Sequence, residues 1–201
     1  MSVRDSVIDV LGAWPAPDPA QDALRHAVLA FVVARPDACE RECVPGHITA
    51  SAAVLDHTGS QVLLTLHPRL GRWVQLGGHC EPGDTDITAA ALREATEESG
   101  IDGLRIGTHP VALHAHALTC SLGVPTRHLD IQFAAQAPAG AVIALSDESL
   151  DLRWWPVDHL PPDADPALAN LVRRASQTIA ECGRASRESA KNSARVQTSL
   201  E

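Results

Sequence analysis

The sequence predicts an α/β (α+β) fold, a mixed sheet sandwiched between helices, with a helical extension at its N-terminus. Short segments of apolar alternation recur through the middle of the chain, and they flank one central helical pattern with another helix near the end. Residues 1–46 form the predicted extension: 3–11 is an amphipathic run, Pro15-Ala-Pro-Asp-Pro19 breaks it, and 21–34 carries a longer helical pattern. Helices in this position can cover a sheet edge or pair with a second copy as a homodimer. From 47 the period changes. Residues 48–55 and 61–66 read as strands joined by the turn Asp56-His-Thr-Gly59, and 72–76 is a short strand that delivers a glycine-rich loop. A helix over 87–99 follows, then strands at 111–118, 128–137 and 152–157 and a closing helix over 166–181. The main domain is therefore expected over 47–182. Residues 183–201 read as a polar, disordered tail, ending in a Leu200-Glu201 pair of the kind an expression vector leaves.

Composition restricts the partners. A balance of 16 basic and 25 acidic residues gives a formal charge of −9 over 201 residues. That excess argues against a broad nucleic-acid or anionic-membrane surface, and it admits small phosphorylated substrates only where cations screen them. Cysteines number five, an odd count, no basic-then-apolar leader follows Met1, and the longest apolar run, 27–34, is too short to span a bilayer. A cytoplasmic protein with reduced thiols is expected. Cys39, Cys43 and His47 have a zinc-like spacing without a matching fourth ligand, and they read as incidental.

Chemistry concentrates between Gly77 and Ile101. In a helix over 87–99, Glu94, Glu97 and Glu98 stand at i, i+3 and i+4, which brings their carboxylates within about 5–6 Å of one another. Three like charges on one turn repel unless a hard divalent cation, magnesium (Mg2+) or manganese (Mn2+), sits among them. Gly77, Gly78 and Gly83 allow the preceding loop to turn sharply and its backbone to approach a phosphate or a metal. A solvated helix face would explain the charges but not the loop, and Arg93 before Glu97 is the weaker orientation for helix stability.

These residues resemble the box of the Nudix hydrolases: a Gly, five residues, Glu, seven residues, then Arg-Glu, an apolar residue, any residue, Glu-Glu, any residue, Gly and an apolar residue. Gly78 fits the first glycine and the run from Arg93 to Ile101 fits the end. Two departures lie between them. Asp84 stands where the pattern has Glu, and eight residues rather than seven separate it from Arg93. The extra residue falls near the helix start, where Asp84, Thr85 or Asp86 can cap, so Asp84 is expected to act as a cap rather than at the metal.

The resemblance implies an α/β/α sandwich and hydrolysis by water of a diphosphate linkage in a nucleotide or nucleoside diphosphate derivative. It implies metal held by Glu94, Glu97, Glu98 and the Gly78 carbonyl, with Arg93 orienting the glutamates. The base that takes the proton from water is either in the cluster, with Glu94 first, or in a mobile loop, with Glu148 the better residue of Asp147-Glu148. Around the box, Arg72, His79, His128 and Asp130 are weaker candidates for substrate contact, and His128 and Asp130 alternate on one strand face beside His114 and His116. A half-exposed polar sheet face explains the same alternation. Two other functions share the fold: a ligand-binding or regulatory module without catalysis, which would be expected to lack a member of the Glu94, Glu97 and Glu98 cluster, and an isoprenoid diphosphate isomerase, which would need a nucleophilic cysteine that Cys80 is poorly placed to be.

Overall fold

The computed structural model describes residues 1–119, 123–146 and 149–197, those after 185 as backbone only. Helix α1 (Val3–Ala13) begins with a capping box in which the Ser2 side chain accepts from the Asp5 amide and Asp5 answers to the Ser2 amide. Helix α2 (Pro19–Ala34) starts on Asp18, whose carboxylate accepts from the Ala20 and Gln21 amides, with Pro at the first helical position where no donor is missed. Strands β1 (His47–Leu55), β2 (Gln61–His67), β3 (Arg72–Val74) and β4 (Leu76–His79) lead to α3 (Ile87–Ser99). After it come β5 (Arg105–Ile106), β6 (Ala112–Thr119), β7 (Pro125–Gln136), β8 (Asp151–Pro156) and α4 (Pro166–Gln197).

All eight strands belong to one sheet whose main path runs β3-β2-β1-β7-β5, while β4 also pairs with β1, β6 with β7 and β8 with β2. The β1–β7 pairing is parallel and the others are antiparallel, so the sheet is mixed as expected. Every residue of β1 is buried, and its alternation feeds two layers. Ile48 and Ala50 pack with Ile87, Ala90 and Ala91 of α3, and Ala52 and Val54 continue that face against Ala95 and Ile101. On the opposite face Ala53 and Leu55 meet Leu168, Leu171, Val172 and Ala175 of α4. Toward the start of β1 that second face turns polar, with His47, Thr49 and Ser51.

The N-terminal helices share the α3 core. Val7, Leu11, Trp14, Val28 and Val32 are buried in one cluster with Ile48, Ile87, Leu113 and Phe133. Polar ties reinforce the packing: the Ser6 hydroxyl accepts from the Ile87 amide at 2.9 Å, which satisfies the first donor of α3. Gln21 exchanges two hydrogen bonds with the Leu113 backbone, at 2.6 and 3.0 Å, and Arg174 of α4 reaches Asp18 at 2.6 Å.

Several elements depart from the expected boundaries. Residues 72–76 divide into β3 and β4 because Gln75 separates two partners, β2 and β1. The two-residue β5 is too short to leave a periodic signal. Helix α4 runs past 181 to Gln197 through a polar stretch with three Ala, three Arg and three Ser. Among the described residues no helix is long and apolar enough to cross a membrane.

Candidate active site

Asp86, not Asp84, caps α3, accepting from the Ala89 amide at 2.8 Å, and Gly100 ends the helix in the left-handed conformation at φ 66° with its amide on Thr96. This corrects the capping role expected of Asp84. Before the helix the Asp84 amide donates to the Glu81 carbonyl at 3.0 Å and the Glu81 amide donates back to the Asp84 carboxylate at 2.7 Å, closing a turn. Asp84 is thereby presented to Arg93, whose Nε and Nη2 donate to its two oxygens at 2.9 and 3.1 Å. Its side chain is 4% exposed. Burial alone would raise its carboxyl, but the hydrogen bonds from Arg93 and the Glu81 amide hold it below the usual range.

Arg93 is the hub of the site. Besides Asp84 it donates from Nη1 to Glu94 at 3.1 Å and to Glu97 at 3.0 Å, and from Nη2 to the His79 carbonyl at 2.9 Å. The Asp84 hydrogen bonds, with the charges of Glu94 and Asp84, outweigh burial and raise the guanidinium's pKa further. Glu98 lies inward at 8% exposure, and its carboxylate accepts from the Gly77 amide at 3.0 Å. Glu97, at 60%, is the open member of the three. Their single helix face is therefore graded from buried to open, with Arg93 drawing Glu94 and Glu97 and the Gly77 amide drawing Glu98.

The glycines answer to this crowding. Gly77 has φ 151°, and a Cβ there would meet Ser51 and, at 2.6 Å, the Ala50 carbonyl. At Gly78 a Cβ would lie 2.7 Å from a Glu94 oxygen, so only glycine lets that carboxylate rest on the strand. Hard oxygen donors in carboxylates beside a bare backbone are the donor set that magnesium or manganese takes, and the residues present fit such an ion.

The weaker candidates separate. Arg72 pairs with Asp165 at 3.2 Å, just before α4. His128 and Asp130 do share a face of β7, but Asp130 is buried and accepts from Thr49 at 3.0 Å, Ser51 at 2.7 Å, Gln132 at 3.0 Å and Gln75 at 3.3 Å. Asp130 organises the floor beside the glycine strand. His79 and His128 stand with His47, ring centroids 4.9–5.0 Å apart, while His116 lies 5.2 Å from both His114 and His128. Sequence reading set His47 aside with Cys39 and Cys43. Alternation places 47, 49 and 51 on one face, yet only the pairing of β1 with β4 and β7 brings their partners to them. Trp73 and Trp155 meet edge-on at 5.3 Å in the layer against α4, which favours packing over base stacking. Asp147 and Glu148, the loop candidates for the base, lie outside the described residues. Cys80 shares a hydrogen bond with Cys39 and is largely buried, and both raise its thiol, which disfavours the thiolate a nucleophile needs.

A family model for the NUDIX domain matches residues 45–175. The NAD-capped RNA hydrolase NudC of Stutzerimonas stutzeri (strain A1501) is 31% identical over 129 residues, which is 63% of this chain and 42% of that protein. The match thus spans less than half of that relative. A NUDIX-family hydrolase from Clostridium perfringens superposes with a TM-score of 0.54 at 21% identity, covering 66% of this chain and 97% of that one. A UDP-X diphosphatase covers more, 89% of this chain and 97% of its own, at a TM-score of 0.51 and 16% identity. At such identities these two likenesses are of fold.

Proposed function

This chain belongs to the Nudix family, and on that premise we propose that it is a metal-dependent pyrophosphohydrolase that cleaves the diphosphate linkage of a nucleotide or nucleoside diphosphate derivative. The observation that carries the reading is the Arg93 fork, which ties Asp84, Glu94, Glu97 and the His79 carbonyl together while Glu98 is fixed on the Gly77 amide. Glu94, Glu97, Glu98 and the Gly78 carbonyl would hold magnesium or manganese. A cation held there would supply charge neutralisation of the diphosphate and would make phosphorus more electrophilic. Glu94 takes the proton of the attacking water, and Arg93 keeps Glu94 and Glu97 in register. The bond from phosphorus to the bridging oxygen breaks, leaving two phosphate monoesters.

The chemistry of the cleft agrees with a small substrate. A formal charge of −9 gives the chain little general attraction for a polymer backbone. The NAD cap named for the relative is itself two nucleosides joined through a diphosphate, and free dinucleotides of this kind head the substrate panel. An inactive binding module would be expected to lose a member of the Glu94, Glu97 and Glu98 cluster, and all three are present; Asp84 and the inserted residue are the features that favour such a module. The test is a panel of nucleoside diphosphate derivatives with magnesium or manganese, assayed for nucleoside monophosphate. Release from at least one compound, abolished by Glu98→Gln, is the expected result. A folded protein inert toward every diphosphate under both metals would overturn the reading.

A further inference from the structure

We propose that His47, His79 and His128 form a tris-imidazole site for one divalent transition-metal ion of the zinc class, separate from the box carboxylates, whose binding braces the glycine strand. The site draws on three strands: His47 opens β1, His79 ends β4 and His128 lies in β7 directly opposite His47. One ring nitrogen from each lies within 4.8 Å of the others, and among the described residues no other three His, Cys, Asp or Glu side chains meet so closely. A tetrahedral ion with metal–nitrogen bonds of about 2.0–2.1 Å sets its ligands roughly 3.4 Å apart, a closure within reach of ring rotation.

The hydrogen bonding favours ligation over ordinary packing. The His47 Nδ1–H donates to the Cys43 carbonyl at 3.4 Å, which leaves Nε2 with the lone pair, and that nitrogen is buried without a partner. Metal-binding histidines are commonly oriented in this way, with the far nitrogen donating to a carbonyl. Nε2 of His128 is likewise buried without a partner. Buried polar atoms are seldom left so.

Imidazole nitrogen selects a borderline ion and rejects magnesium, which takes oxygen. The buried carboxylate of Asp130, two residues along β7, is hydrogen-bonded by neutral groups, while the charge of Arg41 acts on all three imidazoles and disfavours their protonation. Three protein ligands leave a fourth position for water. His79 follows Gly78 and its carbonyl receives Arg93, so an ion here fixes the strand on which Glu94 rests.

The test uses the full chain without a polyhistidine tag, stripped with chelator and titrated with cobalt(II). One equivalent should bind with the intense visible bands of four-coordination, survive millimolar magnesium, yield to zinc and raise the melting temperature. His128→Gln should weaken cobalt binding by at least about a hundredfold, since loss of even an outer partner costs roughly 10–100-fold. His79→Gln, at a half-buried position, provides a second variant should the first fail to fold by circular dichroism. Glu97→Gln and His114→Ala should bind as the parent does. Weak octahedral spectra, binding unchanged in folded His128→Gln or His79→Gln, or binding lost in Glu97→Gln would each overturn the proposal.

Discussion

The carboxylate of Glu98 sits 3.0 Å from the Gly77 amide, and a glutamine there keeps the acceptor while removing the charge. Glu98→Gln should therefore fold and melt within about 1 kcal/mol of the parent yet lose at least about a hundredfold in turnover, as should Glu97→Gln at the open end of the face. Parental rates in either variant would refute their assignment to the metal. Asp84 behaves differently, because its two oxygens satisfy Nε and Nη2 of a guanidinium that is itself largely buried. Asp84→Ala strands those donors and should cost about 1–3 kcal/mol in urea unfolding, while kcat falls because Arg93 no longer holds Glu94 and Glu97. Unchanged stability and turnover would show that the Asp84 contact is incidental.

Helix α3 shows what periodicity conveys and where it stops. Its limits and the spacing of its glutamates were readable because each depends on neighbours within one or two turns. The Asp84–Arg93 pair was not, since its members stand nine residues apart and meet through the path of the loop from the Glu81 turn to the start of α3, which pattern counting cannot see. The His47, His79 and His128 group was hidden for another reason: its members lie on three strands and meet only through the choice of partners on either side of β1. Helices α1 and α2 lay outside the recognised box, and amphipathicity alone did not say what they cover. They bury Val7, Leu11, Val28 and Val32 in the cluster shared with α3 and the sheet, each worth roughly 1.5–3 kcal/mol, and this sum rivals the stability of a whole domain. Deleting residues 1–37 should thus yield insoluble or molten protein. A soluble truncation with a cooperative melt and intact turnover would show the helices to be dispensable.

For the whole molecule, the buried histidines set the acid limit. With His79 at about 4 and His128 at about 3 in the folded state against an ordinary value of 6.5, the unfolded chain binds protons that the native chain refuses. Their stabilising effect is complete above pH 6.5 and drains away as the pH falls toward those lower values. Urea midpoints measured in chelator at pH about 7.5, 6 and 5 should decline in that order, and more shallowly in His128→Asn. An equal slope in that variant would place the acid sensitivity elsewhere. The depressed carboxyl of Asp84 adds its loss only at pH values below 3.8. The clasp of Gln21 on Leu113 has its own consequence at this scale. Strand β6 pairs with β7 along one side, and Gln21 supplies, from a helix, both the donor and the acceptor that a further strand would offer Leu113 on the other. An incoming chain in search of a template finds the beginning of that border already taken, so the same side chain that docks α2 also guards the protein against growing into aggregates by strand addition.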